Sequence, residues 1–191
     1  MTMGRLCLVL VFAVLVCTYA IAAEKDDLKS GPQAGENLTG PFLSLVAHSG
    51  EPDLVGKKND FFEQYGQSPV VLVFAREMTN PLTRLVKKLD AEVAKRKSAR
   101  LRAIVVILSD DDALETSLKD YGKKQAIKHV HLAIMEPDGP KLYKVSKEAD
   151  VTVVMYKKRK VEANHAFKKG ELNEKGVEKI LADLPLIVSG R

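Results

Sequence analysis

Apolar residues along this chain fall into blocks of two kinds, unbroken runs and helically spaced sets. Val70-Val71-Leu72-Val73-Phe74-Ala75 and Ala103-Ile104-Val105-Val106-Ile107-Leu108 are continuous runs, the pattern of strands buried on both faces. Between them, Leu82, Leu85, Val86, Leu89 and Val93 recur at helical spacing and predict one apolar helix face. Lys87, Lys88, Lys95 and Arg96 lie mostly off that face. Asn80 and Pro81 open this helix, with Asn80 as the N-cap and Pro81 at the first helical position.

The remaining elements follow the same logic. Phe42 to Val46 predicts a modest strand, and Phe61, Phe62 and Tyr65 a short helical turn closed by Gly66. Ser109-Asp110-Asp111-Asp112 caps a second helix whose inner side is Leu114, Leu118 and Tyr121, with acidic groups at the positive end of the dipole. Val130 to Met135 is a third central strand and leads into the turn Glu136-Pro137-Asp138-Gly139-Pro140. Val151 to Tyr156 is a fourth strand, turned back at Lys157-Lys158-Arg159-Lys160 into Val161 to Phe167. A last helix starts near Asn173, carries Val177, Ile180, Leu181 and Leu184 inward, and stops at Pro185. The order predicts parallel central strands with an antiparallel edge hairpin.

The chain start has a different character. Arg5 precedes an apolar run from Leu6 to Cys17, then small residues including Ala20 and Ala22, then Glu24-Lys25-Asp26-Asp27. This is the pattern of a secretory signal peptide over residues 1–23. The rival reading is a retained anchor, because Leu6 to Ala23 is just long enough to span a bilayer. Residues 24–40 are polar, Gly-rich and charged, and read as a flexible leader ahead of one domain over residues 41–187. The product is expected to be exported, periplasmic or extracellular, with membrane contact only if the leader stays uncleaved.

Composition sharpens this picture at one point. Both cysteines, Cys7 and Cys17, lie in the signal segment. Removing residues 1–23 leaves 29 basic against 25 acidic side chains and no thiol at all. An oxidising compartment permits disulfides, yet the mature chain can form none.

The run VVLVFA, the helix that follows, the hairpin VTVVMYKKRKVEANHAFKKGEL and the closing helix resemble the thioredoxin superfamily. The stretch ILSDDDALETSLKDYGKK is similar to the insertion of its peroxiredoxin-like branch. The resemblance covers roughly residues 41–185. It implies an α/β three-layer sandwich: a central mixed sheet with parallel core strands, an antiparallel edge hairpin, and helices on both faces. In that family a Cys-x-x-Cys follows the first central strand, and VFAREMTNP then places Met78 and Pro81 where the thiols stand. A thiolate there is activated by the helix N-terminus; neither residue present has an ionisable sulfur. The family's cis-proline position falls on Val151, where a trans peptide is expected because a non-proline cis bond costs about 3 kcal/mol. Exported relatives carry Cys-x-x-Cys in the short turn before the first central strand, and the matching positions here are Asp60 and Glu63. The resemblance therefore implies a redox-inactive domain, neither a cysteine-dependent oxidoreductase nor a peroxidase. It would bind a protein or peptide of unknown identity along the old active-site rim: Arg76, Glu77, Met78, Thr79, Asn80, Pro81 and Val151.

Other chemistry is thinner. His129, His131 and His165 are the candidates for an alternative metal-binding or metal-enzyme reading; the plain reading is scattered histidines, and no cofactor is expected. Asp110 to Asp112 lacks calcium-loop spacing and is explained by capping. The basic hairpin Lys157, Lys158, Arg159 and Lys160 has no interleaved aromatics for stacking bases, so no nucleic-acid partner is expected and a solvated turn is preferred. No Gly-rich phosphate loop and no G-x-S-x-G elbow occurs.

Overall fold

The computed structural model describes residues 28–38 and 40–188. Seven strands form one sheet: β1 (Leu43–His48), β2 (Lys58–Asp60), β3 (Val70–Ala75), β4 (Arg102–Leu108), β5 (Val130–Met135), β6 (Val151–Lys157) and β7 (Lys160–Phe167). Their order is β2-β1-β5-β4-β3-β6-β7. β3, β4 and β5 run parallel, while β6 is antiparallel to β3 and forms a hairpin with β7. The helices are α1 (Phe61–Tyr65), α2 (Asn80–Lys95), α3 (Leu114–Lys124), α4 (Glu174–Ala182) and α5 (Leu184–Val188).

The continuous apolar runs sit where their composition requires. All six residues of β3 are buried, and alternate ones feed two separate cores. Val71, Val73 and Ala75 meet Leu82, Leu85, Val86 and Leu89 of α2, Leu118 of α3, Val177 and Ile180 of α4, and Leu184 and Ile187 of the short α5. Val70, Leu72 and Phe74 meet Phe61, Phe62 and Tyr65 of α1, together with Leu38, Phe42 and Tyr143. Among the described residues α-helices thus lie on both faces, but unequally: four on one, and only the five residues of α1 on the other.

That imbalance gives residues 28–38 a role not expected of a flexible leader. They run as a strap whose backbone and side chains bond into the sheet and its loops. The Ser30 hydroxyl lies 2.6 Å from that of Thr152 and accepts from the Ser146 N–H. Asn164 donates to the carbonyls of Ser30 and Pro32, and Gly31 N–H donates to Lys144 O. Further along, Gly35 N–H donates to Val161 O, Val161 N–H to Glu36 O, and Leu38 N–H to Arg159 O. Low hydrophobicity hid this, because the strap is held by hydrogen bonds that fold-distant partners supply.

Three boundaries differ from expectation. Thr79, not Asn80, caps α2, its hydroxyl accepting from Leu82 N–H, and Pro81 follows inside the first turn, where no intrahelical donor is lost. Ala113 is the N-cap residue of α3, and Asp111 instead accepts the Ala113 N–H. Pro185 does not end the structure: α4 closes at Ala182 and Pro185 lies in the first turn of α5.

The basic hairpin is partly tethered rather than freely solvated. Lys158 and Arg159 both adopt positive φ, the geometry of a tight hairpin turn. Arg159 lies 4.2 Å over the Phe62 ring and pairs with Glu63 at 3.2 Å. It closes so tightly on α1 that a Cβ on Gly66 would sit 2.7 Å from Arg159 Nε.

Asn164→Ala removes the donor to the Pro32 carbonyl and leaves Ser30 O with only the long bond from Gln33 Nε2, and is expected to destabilise the fold by about 1–2 kcal/mol. Hydrogen exchange should then accelerate at residues 30–38 before the β3–β4 core; unchanged strap protection would show that these bonds do not hold it.

Candidate functional site

The C-terminal ends of β3, β4 and β5 converge where the sequence places its degenerate rim. β3 ends at Ala75 and the chain turns at once through Arg76. Arg76 is not a free surface cation. Its N–H donates to Asp150 O, its Nε to Ala149 O at 3.0 Å, its Nη1 to Pro137 O at 3.1 Å and its Nη2 to Ser146 O at 3.1 Å. One guanidinium therefore ties down both ends of the loop between β5 and β6, using its fixed fork of donors.

The other rim residues divide by exposure. Glu77 and Asn80 are exposed, and Glu77 pairs with Lys169 at 3.0 Å. Met78, Thr79 and Pro81 are half-buried, with Met78 packed on the helical-face core. Val151 is 1% exposed, pairs with Ala75 on one side and Phe167 on the other, and follows a trans peptide. It cannot contact a partner, which corrects its inclusion in the rim: as the first residue of a strand covered on both flanks, it is core. Asp150, just before it, is 9% exposed. Burial pushes its carboxyl up, Glu77 adds to this, and Lys169 and Arg76 oppose it. The rim thus offers a hydrogen-bonded scaffold, one thioether and a charged pair, but no thiol. Asp150 and Lys169 escaped sequence reasoning because nothing in their spacing links them to Glu77.

The positions matching the relatives' second cysteine pair carry other work. Asp60 caps α1 by accepting from Phe62 N–H and Glu63 N–H, and Glu63 holds Arg159.

The histidines do not assemble. His131 lies on β5 and His165 on β7, with β4, β3 and β6 between them. His129 precedes β5 and shares a small cavity with His131. Among the described residues no group of three His, Cys, Asp or Glu side chains is arranged to hold a metal ion. His165 Nε2 faces Asp183 at 2.9 Å; burial lowers its basicity and Asp183 partly restores it. His131 is 3% exposed, packs 5.2 Å from Phe61 and 5.5 Å from Tyr65, and its Nδ1 lies 2.9 Å from the Ser49 hydroxyl. Burial lowers its pKa to about 4, against a weaker upward pull from Glu51.

No family model matches the chain, and no curated protein matches it. Solved structures do. A Plasmodium vivax 2-Cys peroxiredoxin matches with a TM-score of 0.56 at 13% identity, covering 80% of this chain and 80% of its own. The exposed lipoprotein thioredoxin of Streptococcus pneumoniae matches with a TM-score of 0.51 at 19% identity, covering 76% and 98%. The yeast mitochondrial 1-Cys peroxiredoxin matches with a TM-score of 0.53 at 15% identity, covering 83% and 77%. At these identities the likeness is one of fold, and the fold is thioredoxin-like. Residues 1–23, where a signal peptide is expected, and the two cysteines within them lie outside the described residues, among which no helix is long and apolar enough to cross a membrane.

Arg76→Ala, which removes the donor of the Pro137 and Ala149 carbonyls and leaves Ser146 O with the Ala149 N–H alone, should cost about 2–4 kcal/mol in urea unfolding, and Arg76→Lys less, because an ammonium reaches fewer of them. Equal stability of all three proteins would show the tie to be dispensable. The folded His131 binds its proton more weakly than the unfolded chain, whose imidazole titrates near 6.5. Stability is therefore complete above about pH 6.5 and falls as the pH drops toward about 4. His131→Phe should flatten the pH dependence in that window; an unchanged profile would remove His131 as its source.

Proposed function

We propose that this chain is an exported, redox-inactive thioredoxin-like domain that binds a protein or peptide through the rim at the head of α2. The observation that carries the reading is the pair at the thiol positions. Met78 and Pro81 stand there, and the only cysteines of the whole chain, Cys7 and Cys17, belong to the signal segment. Thiolate chemistry has no reagent in such a domain, while the surface that presents it remains. Export is supported by the leader pattern.

The contact surface is narrower than the sequence alone implies. Glu77, Met78, Asn80 and Pro81, with Lys169 opposite, are the residues a partner can reach. Arg76 and Thr79 set their position from below. Because Arg76 already fixes the neighbouring loop, a partner would meet a surface ordered in advance, which reduces the entropy lost on binding. A metal-dependent activity has no assembled histidine cluster to support it.

The purified polypeptide from Glu24 onward should show no catalysed reduction of insulin disulfides and no catalysed turnover of peroxide; either activity would overturn the redox-inactive part. For the binding part, a photocrosslinking residue at Asn80 should trap a discrete adduct in extract from the source cells, lost with Glu77→Lys. The same group at Lys119, exposed on α3, should not. Identical adducts from both positions would sink the rim as the binding surface.

A further inference from the structure

The opposite end of the sheet, where β4 and β5 begin, holds a polar cluster that the rim does not use. A cavity of about 150 Å³ is lined there by Gly50, Glu51, Val93, Arg102, Lys128, His129 and His131. Its volume is that of a few water molecules, each about 30 Å³ in the liquid, far below the pockets that hold drug-sized ligands. The walls are rich in cationic and imidazole donors. Gly50 lets the loop after β1 close onto the chain before β5, since a Cβ there would lie 1.9 Å from Lys128 O.

Arg102 is the unusual member. Its guanidinium stacks 4.8 Å over the Tyr65 ring, and its Nε is buried with no hydrogen-bond partner. The nearest carboxylate oxygen, Glu51 Oε1, is 3.6 Å from Nη1, long for a charge-assisted bond. That same oxygen is taken at 2.9 Å by the Tyr65 hydroxyl. Arg102 therefore keeps donor capacity that no side chain of the fold satisfies. Lys128 stands on the same wall, exposed, and among the described residues no carboxylate pairs with its ammonium.

We propose that this cavity binds a small free oxyanion of phosphate or carboxylate size, gripped by Arg102 and Lys128 with the imidazole of His129 alongside. A planar guanidinium matches either anion through paired donors. The cavity has room for one small anionic group, and a larger molecule would have to extend from it into solvent. Glu51 is the built-in competitor: its carboxylate faces the same guanidinium, so it weakens anion binding and sets its strength. The site is independent of the rim, at the far end of the parallel strands.

The intact chain, in chloride buffer of matched ionic strength, is titrated with inorganic phosphate and separately with acetate, by calorimetry and by thermal unfolding. One saturable site is expected, with unfolding temperature rising as the site fills; the tighter of the two anions identifies the class. Arg102→Gln should weaken binding at least about tenfold, Lys128→Ala should weaken it severalfold, and Glu51→Gln should tighten it while still accepting the Tyr65 hydroxyl. Non-saturating stabilisation, equal in every variant, would be the general effect of an excluded anion and would overturn the site. Should Arg102→Gln fail to fold, Lys128→Ala and Glu51→Gln decide alone, and wild-type affinity in both would equally overturn it.

Discussion

The central strands of this sheet must be covered twice. β3 and most of β4 bury every side chain, so each face needs its own apolar layer, and each layer removes backbone polar groups from water. One face has an ordinary solution in α2, α3, α4 and α5. The other has, among the described residues, only α1 as an α-helix, and the chain completes it with residues 28–38, the approach to β1 at Phe42, and the single 3-10 turn Lys141–Tyr143. Segments without regular structure carry unpaired N–H and C=O groups, and a buried unpaired group is costly. The hydrogen bonds of Ser30, Gly31, Asn164 and Tyr143 answer that cost. They are the consequence of covering a second face with one short helix and irregular chain.

The same requirement organises the rim. The loop between β5 and β6 crosses the end of the sheet carrying main-chain carbonyls that no strand can pair. Arg76 satisfies three of them with one side chain. A residue that would look like a solvated or catalytic charge is thus spent on architecture. What remains outward is Glu77, Met78, Asn80 and Pro81, together with the Lys169 ion pair. Met78 and Pro81 occupy the head of α2 there, and the proposed recognition surface rests on what they leave exposed.

At the other end of the sheet the polar groups are arranged differently. Tyr65 and His131 are drawn into an aromatic cluster with Phe61, and Glu51 is held by the Tyr65 hydroxyl. Arg102, at the first position of β4, stacks on that cluster but does not have all its donors met. Two ends of one sheet therefore treat arginine in opposite ways. Every guanidinium nitrogen of Arg76 donates to a carbonyl, while Arg102 leaves its Nε without a partner.

By itself the sequence determined the elements whose signal is local. Continuous apolar runs specify β3 and β4, because six or so consecutive apolar residues rich in Val and Ile, bounded by polar turns, fit a strand buried on both faces. Helical spacing specifies the inner face of α2, and the placement of both cysteines, Cys7 and Cys17, leaves none from residue 18 onward. Tertiary structure alone decided the rest. It turned residues 28–38 from a polar leader into a covering strap, moved Val151 from the rim into the core, and converted Arg76 into a tie. It also kept His165 away from His131 and brought Glu51, Arg102 and Lys128 to one cavity. Each of these depends on partners tens of residues distant in the chain. Hydrophobic periodicity reports which side of an element is buried, but carries no record of which distant carbonyl, carboxylate or ring will stand beside a given polar side chain.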